Sequence, residues 1–502
     1  MPDVIIVGGG IAGLAAAYEL NGRGVSFVVL ERAARPGGVI VSEELDGFTI
    51  DAGPDSLLIQ KPDGITLCQE LGLGDRLVPT LPPRLAFIQR AGKLYPLPAA
   101  SVLGIPTRIG PFARTGLFSW RGKLRMGAEL FVPRRAVARG SDESDESIGA
   151  FMTRRFGREA TTYLAEPLLA GIHAGDVDRL SLAALFPRFA DAEKTYGSLI
   201  RAFRRRGATP SAEGAFKSLP GGLIEMVQAL VNTLPAGSVH TSAGVTHIGR
   251  DARGQAFRVA TAAGLAHECR ALVLSTPAYV TAALVRDQDA EIARLCAEIP
   301  YSSVATVALA FRRKDVAHPL NGSGYVVPRT ESSGILAATW LSSKWPHRAP
   351  EGKVLIRTFI GGARDKEALA QSDAELAARS LAAIRPVLGI AGDPLLTRVY
   401  RFDRASAQHE VGHLDRMIAI DRRLGAHPGL FLTGSGFRGV GIPDCIADAR
   451  KTAGRVADWL TEIRLKPDPR IQPDPTIRPD PIRPDPAKST TTNVAEDEQR
   501  TR

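Results

Sequence analysis

The sequence predicts an α/β fold in which a Rossmann-like dinucleotide-binding domain is combined with an α+β substrate domain and a helical insertion. The prediction depends on three observations. The chain opens with the apolar run Val4-Ile5-Ile6-Val7, a glycine-rich turn and an Ala/Leu-rich helical stretch. Strand-like alternation returns after a long helical region. Finally, 502 residues exceed what one ordinary hydrophobic core holds, so more than one domain is expected.

The first element to justify is the glycine-rich turn after the opening strand. Gly8, Gly10 and Gly13 have G-x-G-x-x-G spacing, which permits a tight turn, close approach to a pyrophosphate and close helix packing. The N-terminus of the following helix offers free N–H groups to the phosphates. A second apolar strand ends in Glu31, whose carboxylate can accept hydrogen bonds from both ribose hydroxyls. These features predict a dinucleotide; Glu31 leaves NAD and FAD open, and Arg32 does not exclude NADP.

Two further glycine-containing stretches favour FAD. The Gly37-Gly38 pair permits close backbone approach, and the "AGPDS" sequence at 52–56 can turn beneath a planar ring. Near the other end of the chain, "GFRGVGIPDC" (436–445) places a second glycine-rich turn before a helix N-terminus. Such a helix end suits the flavin edge where negative charge develops on reduction. A nicotinamide dehydrogenase would leave this second turn without a purpose, so FAD is the predicted cofactor.

Changes in sequence pattern along the chain predict the domain organisation. Ser147 is a candidate N-cap for a helix inside the insertion. Repeated Pro-Asp-Pro near the C-terminus excludes helix and ladder pairing there and predicts a disordered tail. The predicted segments are 1–83, 211–299 and 421–463 for the three parts of the FAD-binding domain, 84–210 for a helical insertion facing the substrate or a membrane, 300–420 for the α+β substrate domain, and 464–502 for the tail.

Composition excludes several classes of protein. A hydrophobic share of 44% and a charged share of 23% are those of a soluble globular enzyme, and we expect no transmembrane helix or signal peptide. The net charge of +10 comes without a nucleic-acid-binding motif. Three explanations of the charge remain: attraction to an anionic membrane surface, binding of a polycarboxylate substrate, or a solvated basic face. Four widely separated cysteines predict neither disulfides nor a metal site. A cytoplasmic protein is expected, with peripheral contact to the inner face of the membrane left open.

The chain resembles the FAD-dependent protoporphyrinogen IX and coproporphyrinogen III oxidases of haem biosynthesis, in their soluble bacterial branch. The resemblance runs from about residue 3 to residue 460 and includes "GIPTRIGPFARTGLFSWRGKLRM", "EPLLAGIHAGD", "SLPGGLIEMV" and "WPHRAPEGKVLIRTFIGG". It implies an amine-oxidase-like flavoprotein fold and the six-electron oxidation of a porphyrinogen. FAD would take the electrons in three two-electron steps and oxygen would reoxidise it, giving hydrogen peroxide. A ferrochelatase-type protein is a candidate partner.

The resemblance also implies roles for particular residues. The sequence departs from the family at "TIDAGPD", where many relatives have a glutamate in place of Asp51 or Ala52, and no role is assigned there. The implied cofactor residues are Gly8, Gly9, Gly10, Ile11, Ala12 and Gly13 at the pyrophosphate, Glu31 with neighbouring Arg32 at the ribose, Gly37 and Gly38 beside them, Gly53, Pro54, Asp55 and Ser56 along the isoalloxazine, Val245 at the adenine, Phe402 over the flavin, and Val440, Gly441 and Ile442 at its pyrimidine end; Lys61 and Arg84 are implied at the substrate propionates.

No Ser-His-Asp or Cys-His arrangement and no dedicated general base is visible in the sequence. The flavin would carry the redox chemistry, so no catalytic residue is assigned. His173, in "AGIHAGD", is the one histidine that is a candidate to line the cleft. An amine oxidase, a carotenoid-type desaturase and a non-catalytic flavin- or porphyrin-binding protein are the alternatives, and the choice between the two porphyrinogens stays open.

Overall fold

The structure is a computed structural model that describes residues 1–98, 101–102, 105–106, 109–135, 145–205, 214–251 and 254–465. Residues Met1–Leu460 form one compact unit. The second unit is Thr461–Arg502, of which the described residues 461–465 are helical. The tail is predicted to begin at residue 464, whereas the structure has helix as far as Leu465. The rest of the predicted tail lies outside the described residues.

The strands of the described residues form one parallel sheet, one large mixed sheet and several small antiparallel sheets. In chain order they are β1 (Val4–Val7), β2 (Phe27–Leu30), β3 (Ser42–Leu45), β4 (Phe48–Asp51), β5 (Leu57–Leu58), β6 (Val78–Pro79), β7 (Ala86–Arg90), β8 (Lys93–Pro96), β9 (Ser101–Val102), β10 (Ile105–Pro106), β11 (Phe216–Ser218), β12 (Val239–His240), β13 (Val245–Arg250), β14 (Phe257–Thr261), β15 (Ala266–Cys269), β16 (Ala271–Leu274), β17 (Tyr301–Arg312), β18 (Gly324–Val326), β19 (Ala337–Trp340), β20 (Lys353–Gly361), β21 (Leu396–Ala407) and β22 (Leu430–Leu432).

The helices lie between these strands. In chain order they are α1 (Ile11–Gly22), α2 (Asp63–Glu70), α3 (Ile109–Arg114), α4 (Trp120–Gly127), α5 (Ile148–Phe156), α6 (Arg158–Ala160), α7 (Leu182–Leu185), α8 (Pro187–Tyr196), α9 (Leu199–Arg205), α10 (Ile224–Thr233), α11 (Ala278–Val285), α12 (Ala290–Ala297), α13 (Leu341–Lys344), α14 (Asp373–Leu388), α15 (His413–Leu424) and α16 (Ile442–Leu465). A π-helix covers Thr161–Ala170, and short 3₁₀ segments cover Gly74–Arg76, Ala128–Phe131, Gly171–His173, Arg313–Asp315, Gly362–Arg364 and Ala368–Ala370.

The parallel sheet positions the candidate site. Its strand order is β12-β2-β1-β16-β22, and every pairing in it is parallel. Both β1 and β16 are fully buried along their length, as expected of apolar strands covered on both faces. The chain leaves this sheet after β2 and returns for β12, β16 and β22. Strands β1 and β2 therefore share one sheet with β22, and the carboxyl ends of its parallel strands form the place where open α/β sheets bind ligands.

A seven-stranded mixed sheet has the order β21-β17-β20-β19-β18-β7-β8. Helix α14 packs against it and begins with a capping box between Ser372 and Glu375. Strands β7 and β8 come from the range 84–210, for which the sequence predicts a helical insertion. The structure thus places the first part of that range in the sheet of the predicted substrate domain, and the helices follow from Ile109 onward.

The remaining helices of the range 84–210 enclose a separate apolar core. Ser147 caps α5 as predicted, because its Oγ accepts a hydrogen bond from the N–H of Ala150 at 3.1 Å. The fully buried Arg155 pairs with Glu129 and, at 3.1 Å, with Glu193, so its charge is compensated inside this core. Among the described residues, no helix is both long and apolar enough to cross a lipid bilayer.

Candidate functional site

The glycine-rich turn after β1 has the geometry that the sequence predicts. Gly8 has a φ of +107°, a conformation that side-chain-bearing residues rarely adopt. A Cβ added to Gly13 would lie 1.9 Å from the carbonyl oxygen of Gly8, so only glycine permits this packing of α1 on the turn. Ile11 and Ala12, the first two residues of α1, are buried beneath it. Gly8 and Gly13 are therefore required by the turn itself.

Gly10 differs from these two glycines because the space in front of it is open. Its φ is −72°, which any residue can adopt, and no heavy atom lies within 4 Å of an added Cβ. No side chain caps the first turn of α1, so its N–H groups have no side-chain acceptor. Gly37 donates its N–H to the carbonyl oxygen of Gly9 at 2.8 Å, and Gly38 lies against Gly10. The result is a glycine-lined cradle at a helix N-terminus, which suits a pyrophosphate.

Glu31 is positioned at the end of β2 by backbone groups of this cradle. Its carboxylate accepts hydrogen bonds from the N–H of Gly9 at 2.6 Å and of Ala33 at 2.7 Å. The segment before β13 packs beside it: Ala243 donates its N–H to the Glu31 carbonyl at 2.8 Å, and Gly244 lies against Arg32. Val245, the first residue of β13, is thus brought next to the predicted ribose site.

The second glycine-rich turn reaches the same place from the other end of the chain. Thr433, after β22, donates its N–H to the carbonyl of Leu274 at 3.0 Å. Gly434, with a φ of +115°, follows at once, and an added Cβ there would lie 3.9 Å from Cβ of Ala12. Val440, Gly441 and Ile442 lead from this turn into α16. The structure therefore brings the two predicted halves of the cofactor site together.

The segment after β4 adds a third side. A Cβ on Gly53 would lie 2.0 Å from the carbonyl oxygen of Val39 and 3.6 Å from Cζ of Phe402, so two residues that are both predicted to lie at the flavin are neighbours. The buried guanidinium of Arg357, on β20, donates to the carbonyl of Gly53 at 2.5 Å and also to that of Asp51. Sequence reasoning did not identify Arg357, since nothing near it in the chain indicates a role.

The carboxylate of Asp55 serves as an anchor for this segment. It accepts from Lys344 Nζ at 2.9 Å and Trp345 Nε1 at 3.1 Å, and it lies 3.7 Å from Arg357. Burial alone would raise the pKa of Asp55, but the charges of Lys344 and Arg357 hold that pKa well below its usual range. Pro54 and Ser56 flank this anchor. Asp55 thus has partners for its charge within the protein.

Asp51, to which the sequence assigns no role, is also a buried structural group. It forms an ion pair with Arg348 at 2.8 Å, and both side chains are fully buried. Ser42 Oγ donates to it at 2.7 Å, and the N–H of Leu223 donates at 3.1 Å. Burial raises the pKa of Asp51. It ties β3 and β4 to the start of α10.

Lys61, a predicted substrate residue, pairs with an acid that the sequence did not single out. Its Nζ lies 2.6 Å from one carboxylate oxygen of Asp444 in the first turn of α16 and 2.7 Å from the other. His173 is the third member of this group: burial, followed by the charge of Lys61, lowers its pKa to about 4. The imidazole is therefore neutral at neutral pH, with a lone pair on one ring nitrogen.

Arg84, the other predicted substrate residue, is exposed, and its Nε donates to the carbonyl and hydroxyl of Thr80 at 3.0 and 3.2 Å. No ion pair to Arg84 is present among the described residues. The small sheet β5-β11-β6 brings Arg84 near the loop that carries Lys61. The N–H of Ile59, two residues before Lys61, donates to the carbonyl of Ala215, and Arg84 packs against the neighbouring Gly214. The loops that carry Lys61 and Arg84 thus leave this sheet at the same end of its strands.

Taken together, the geometry provides a cradle for a dinucleotide and basic groups beyond it. Within the described part of the chain, no group of three or more His, Cys, Asp or Glu residues could hold a metal ion. All four cysteines are buried, free thiols.

Comparison with known proteins gives consistent matches over nearly the whole chain. A model of the family described as flavin containing amine oxidoreductase matches residues 11–457. The coproporphyrinogen III oxidase of Bacillus subtilis (strain 168) is 35% identical over 472 residues, covering 91% of this chain and 98% of that protein. The chloroplastic protoporphyrinogen oxidase of Oryza sativa subsp. japonica is 31% identical, covering 92% and 90%. A solved structure from Exiguobacterium sp. 255-15, assigned as a protoporphyrinogen oxidase, is 30% identical with a TM-score of 0.80, covering 90% and 98%.

Proposed function

Because the chain belongs to the flavin-containing amine oxidoreductase family, we propose that it is an FAD- and oxygen-dependent porphyrinogen oxidase of haem biosynthesis. The observation that carries this proposal is the 35% identity to a coproporphyrinogen III oxidase along 98% of that protein's length. Relatives named for porphyrinogen oxidation match at 30% identity or more, both in sequence and in the solved structure. An amine oxidase or a desaturase is therefore not favoured.

Several features of the site support FAD as the flavin. The open space at Gly10 and the uncapped start of α1 fit a pyrophosphate, and Glu31 fits an adenosine ribose. Phe402 beside Gly53, and the turn that leads into α16, fit a planar ring at the far end of an extended dinucleotide. When bound, the flavin would accept electrons from the substrate two at a time and transfer them to oxygen.

The chain's own residues would bind and orient the macrocycle. A porphyrinogen loses six hydrogen atoms to become a porphyrin, and three molecules of oxygen take them up as three molecules of hydrogen peroxide. Lys61 and Arg84 supply positive charge for the carboxylate arms of such a substrate. Asp444 holds the Lys61 ammonium in place, and burial together with the charge of Lys61 keeps the imidazole of His173 neutral.

Coproporphyrinogen III is the proposed substrate, because the bacterial relatives carry that name. Protoporphyrinogen IX is the second candidate, since the rice relative and the Exiguobacterium structure carry the other name. The two substrates differ in carboxylate number, four propionates against two. A basic site accommodates both, so turnover has to decide between them.

We also propose that the protein is cytoplasmic and makes peripheral contact with an anionic membrane. Trp120, Leu124 and Phe131 are 68%, 73% and 82% exposed, and Arg121 lies among them. A ferrochelatase-type protein is the proposed partner, because the porphyrin product is the species that a metal-inserting enzyme takes up. Sedimentation with phosphatidylglycerol vesicles tests the membrane contact; protein that stays entirely in the supernatant would contradict it.

The deciding experiment is oxygen-dependent turnover by the purified yellow protein with each porphyrinogen separately, followed by porphyrin fluorescence and by peroxide release. We expect faster oxidation of coproporphyrinogen III, with three peroxides formed for each porphyrin. A preference for protoporphyrinogen IX would establish the second candidate instead. A yellow protein that turns over neither substrate would disprove the oxidase assignment and favour a non-catalytic flavin- or porphyrin-binding protein.

A further inference from the structure

Two buried histidines lie stacked against each other behind the second glycine-rich turn. His409 follows β21 and His413 is the first residue of α15. Their ring centroids are 3.7 Å apart with an angle of 11° between the planes, and the residues are 2% and 1% exposed. Two stacked imidazoles this deeply buried must both be neutral, because charged rings in contact would repel each other.

Both rings point their Nε2 atoms at carbonyl oxygens of the same turn. Nε2 of His409 lies 3.0 Å from the Ser435 oxygen, and Nε2 of His413 lies 2.7 Å from the Phe437 oxygen. A carbonyl oxygen can only accept, so each Nε2 carries the proton and each Nδ1 is bare. Burial is the main cause that lowers the pKa of His409, to about 3, and also lowers that of His413, which keeps both rings neutral.

The opposite side of this turn has unused donors. Across a planar trans peptide the N–H points away from the C=O, so the N–H groups of Gly436 and Arg438 point away from the two rings. Neither N–H has a hydrogen-bond partner among the described residues. Gly436 is buried, and a buried N–H without a partner is costly unless a ligand satisfies it.

The turn is also closed from a third direction by Tyr301. Its hydroxyl accepts the N–H of Ala278 at 2.8 Å, and a Cβ added to Gly436 would lie only 2.4 Å from it. Gly434, at the start of the same turn, contacts Ala12 of the dinucleotide cradle. The turn that carries the free N–H groups therefore adjoins the candidate cofactor site.

We propose that His409 and His413 are positioning residues that orient the Gly434–Phe437 turn so that the N–H groups of Gly436 and Arg438 donate to oxygen atoms of the bound flavin nucleotide. This inference rests on the proposed flavin site, and it assigns the two histidines no contact with the cofactor. They act through the turn, by fixing two peptide planes from behind.

The experiment compares leucine and glutamine at each histidine. Leucine fills the space without a donor, whereas the glutamine amide can place an N–H close to the position of Nε2. The rate at which FAD leaves the holoenzyme after dilution is read from the rise in flavin fluorescence. We expect about tenfold faster release from His409→Leu and His413→Leu, the effect of about one lost hydrogen bond to the turn, and near wild-type release from the glutamine variants.

His318→Leu is the matched control. This histidine also contacts an aromatic ring, with its centroid 4.9 Å from that of Trp340 on β19, but it is only partly buried and lies beside the seven-stranded sheet. We expect its replacement to lower the melting temperature without changing FAD release. If a leucine variant does not fold, His413→Asn replaces it, because its shorter amide matches Nδ1 rather than Nε2 and should release FAD faster than His413→Gln.

Two results would overturn the proposal: unchanged FAD release in the folded leucine variants, or glutamine variants that release FAD as fast as the leucine variants. FAD release is measured without any porphyrinogen. A protein that holds FAD through the histidine pair but oxidises neither porphyrinogen would therefore refute the proposed function and leave this inference standing.

Discussion

At the residue scale, Gly10 and Gly13 show that glycines of one motif are required for different reasons. Gly13 has no room for a side chain, because the Gly8 carbonyl oxygen lies 1.9 Å from where its Cβ would be. Gly10 has an ordinary φ and open space around it. The fold needs a glycine at position 13, whereas only a bound ligand needs one at position 10.

This difference predicts opposite phenotypes for two alanine substitutions. Gly10→Ala should keep the melting temperature of the protein freed of FAD within about 2 °C of wild type while weakening FAD binding at least tenfold, because the methyl group occupies the cradle. Gly13→Ala should lower the melting temperature of the same FAD-free protein by several degrees, because the turn must open. Thermal melts and FAD titrations check both. Normal FAD affinity in Gly10→Ala would refute a pyrophosphate at this turn.

At the scale of elements, the segment that follows β4 is held by three residues from two parts of the seven-stranded-sheet domain. Lys344 and Trp345 come from α13 and the residue after it, and Arg357 comes from β20. All three converge on Asp55, so one buried carboxylate fixes the backbone of Gly53 beside Phe402. The segment is positioned by tertiary contacts more than by its own turn.

We predict that Asp55→Asn destabilises the protein by about 3–5 kcal/mol, because it leaves two buried cations without their shared carboxylate. The free energy of unfolding in urea checks this prediction. Asp287→Asn is the control, since that carboxylate is 71% exposed and its only ion pair among the described residues, at 3.9 Å, is with His247. A destabilisation equal to that of the control would show that Asp55 is not the anchor.

Strands β7 and β8 could not be predicted from the local sequence. The sequence "AFIQR" (86–90) is short, and it lies far along the chain from its parallel partner β18. Nothing local indicates that it pairs with Gly324–Val326, so the whole range 84–210 is predicted as helical. The cap at Ser147 was predictable, because a cap depends only on residues three positions apart.

At the scale of the whole molecule, the stacked histidines link stability to pH. The unfolded-state pKa of histidine is about 6.5, and His409 in the folded protein has a pKa of about 3. Below about pH 6.5 the unfolded state therefore binds more protons than the folded state. The stability contributed by a neutral His409 is fully present above that pH and is lost as the pH falls toward about 3.

We predict that the free energy of unfolding falls by about 2 kcal/mol from pH 7 to pH 5 through His409 alone, because the unfolded state takes up a proton there that the folded state does not. The His409→Gln variant should lack this pH-dependent loss, so its free energy of unfolding should decline less steeply than that of the wild type between pH 7 and pH 5. Urea melts at a series of pH values measure the difference. His247→Gln, at a position 60% exposed, serves as the control. An equally steep decline in His409→Gln would show that His409 is not neutral when the protein is folded.

The sequence by itself determined the strand–turn–helix start, the acidic residue Glu31 at the end of the second strand, the flavin nature of the site and the helix cap at Ser147. Each of these depends on backbone geometry within a few residues or on a motif long enough to be specific. Only the tertiary structure decided that Lys61 pairs with Asp444, 383 residues away, and that Arg357 supports Gly53. Such contacts follow from how the chain re-enters its parallel sheet, and no local pattern encodes which distant side chains that topology brings together.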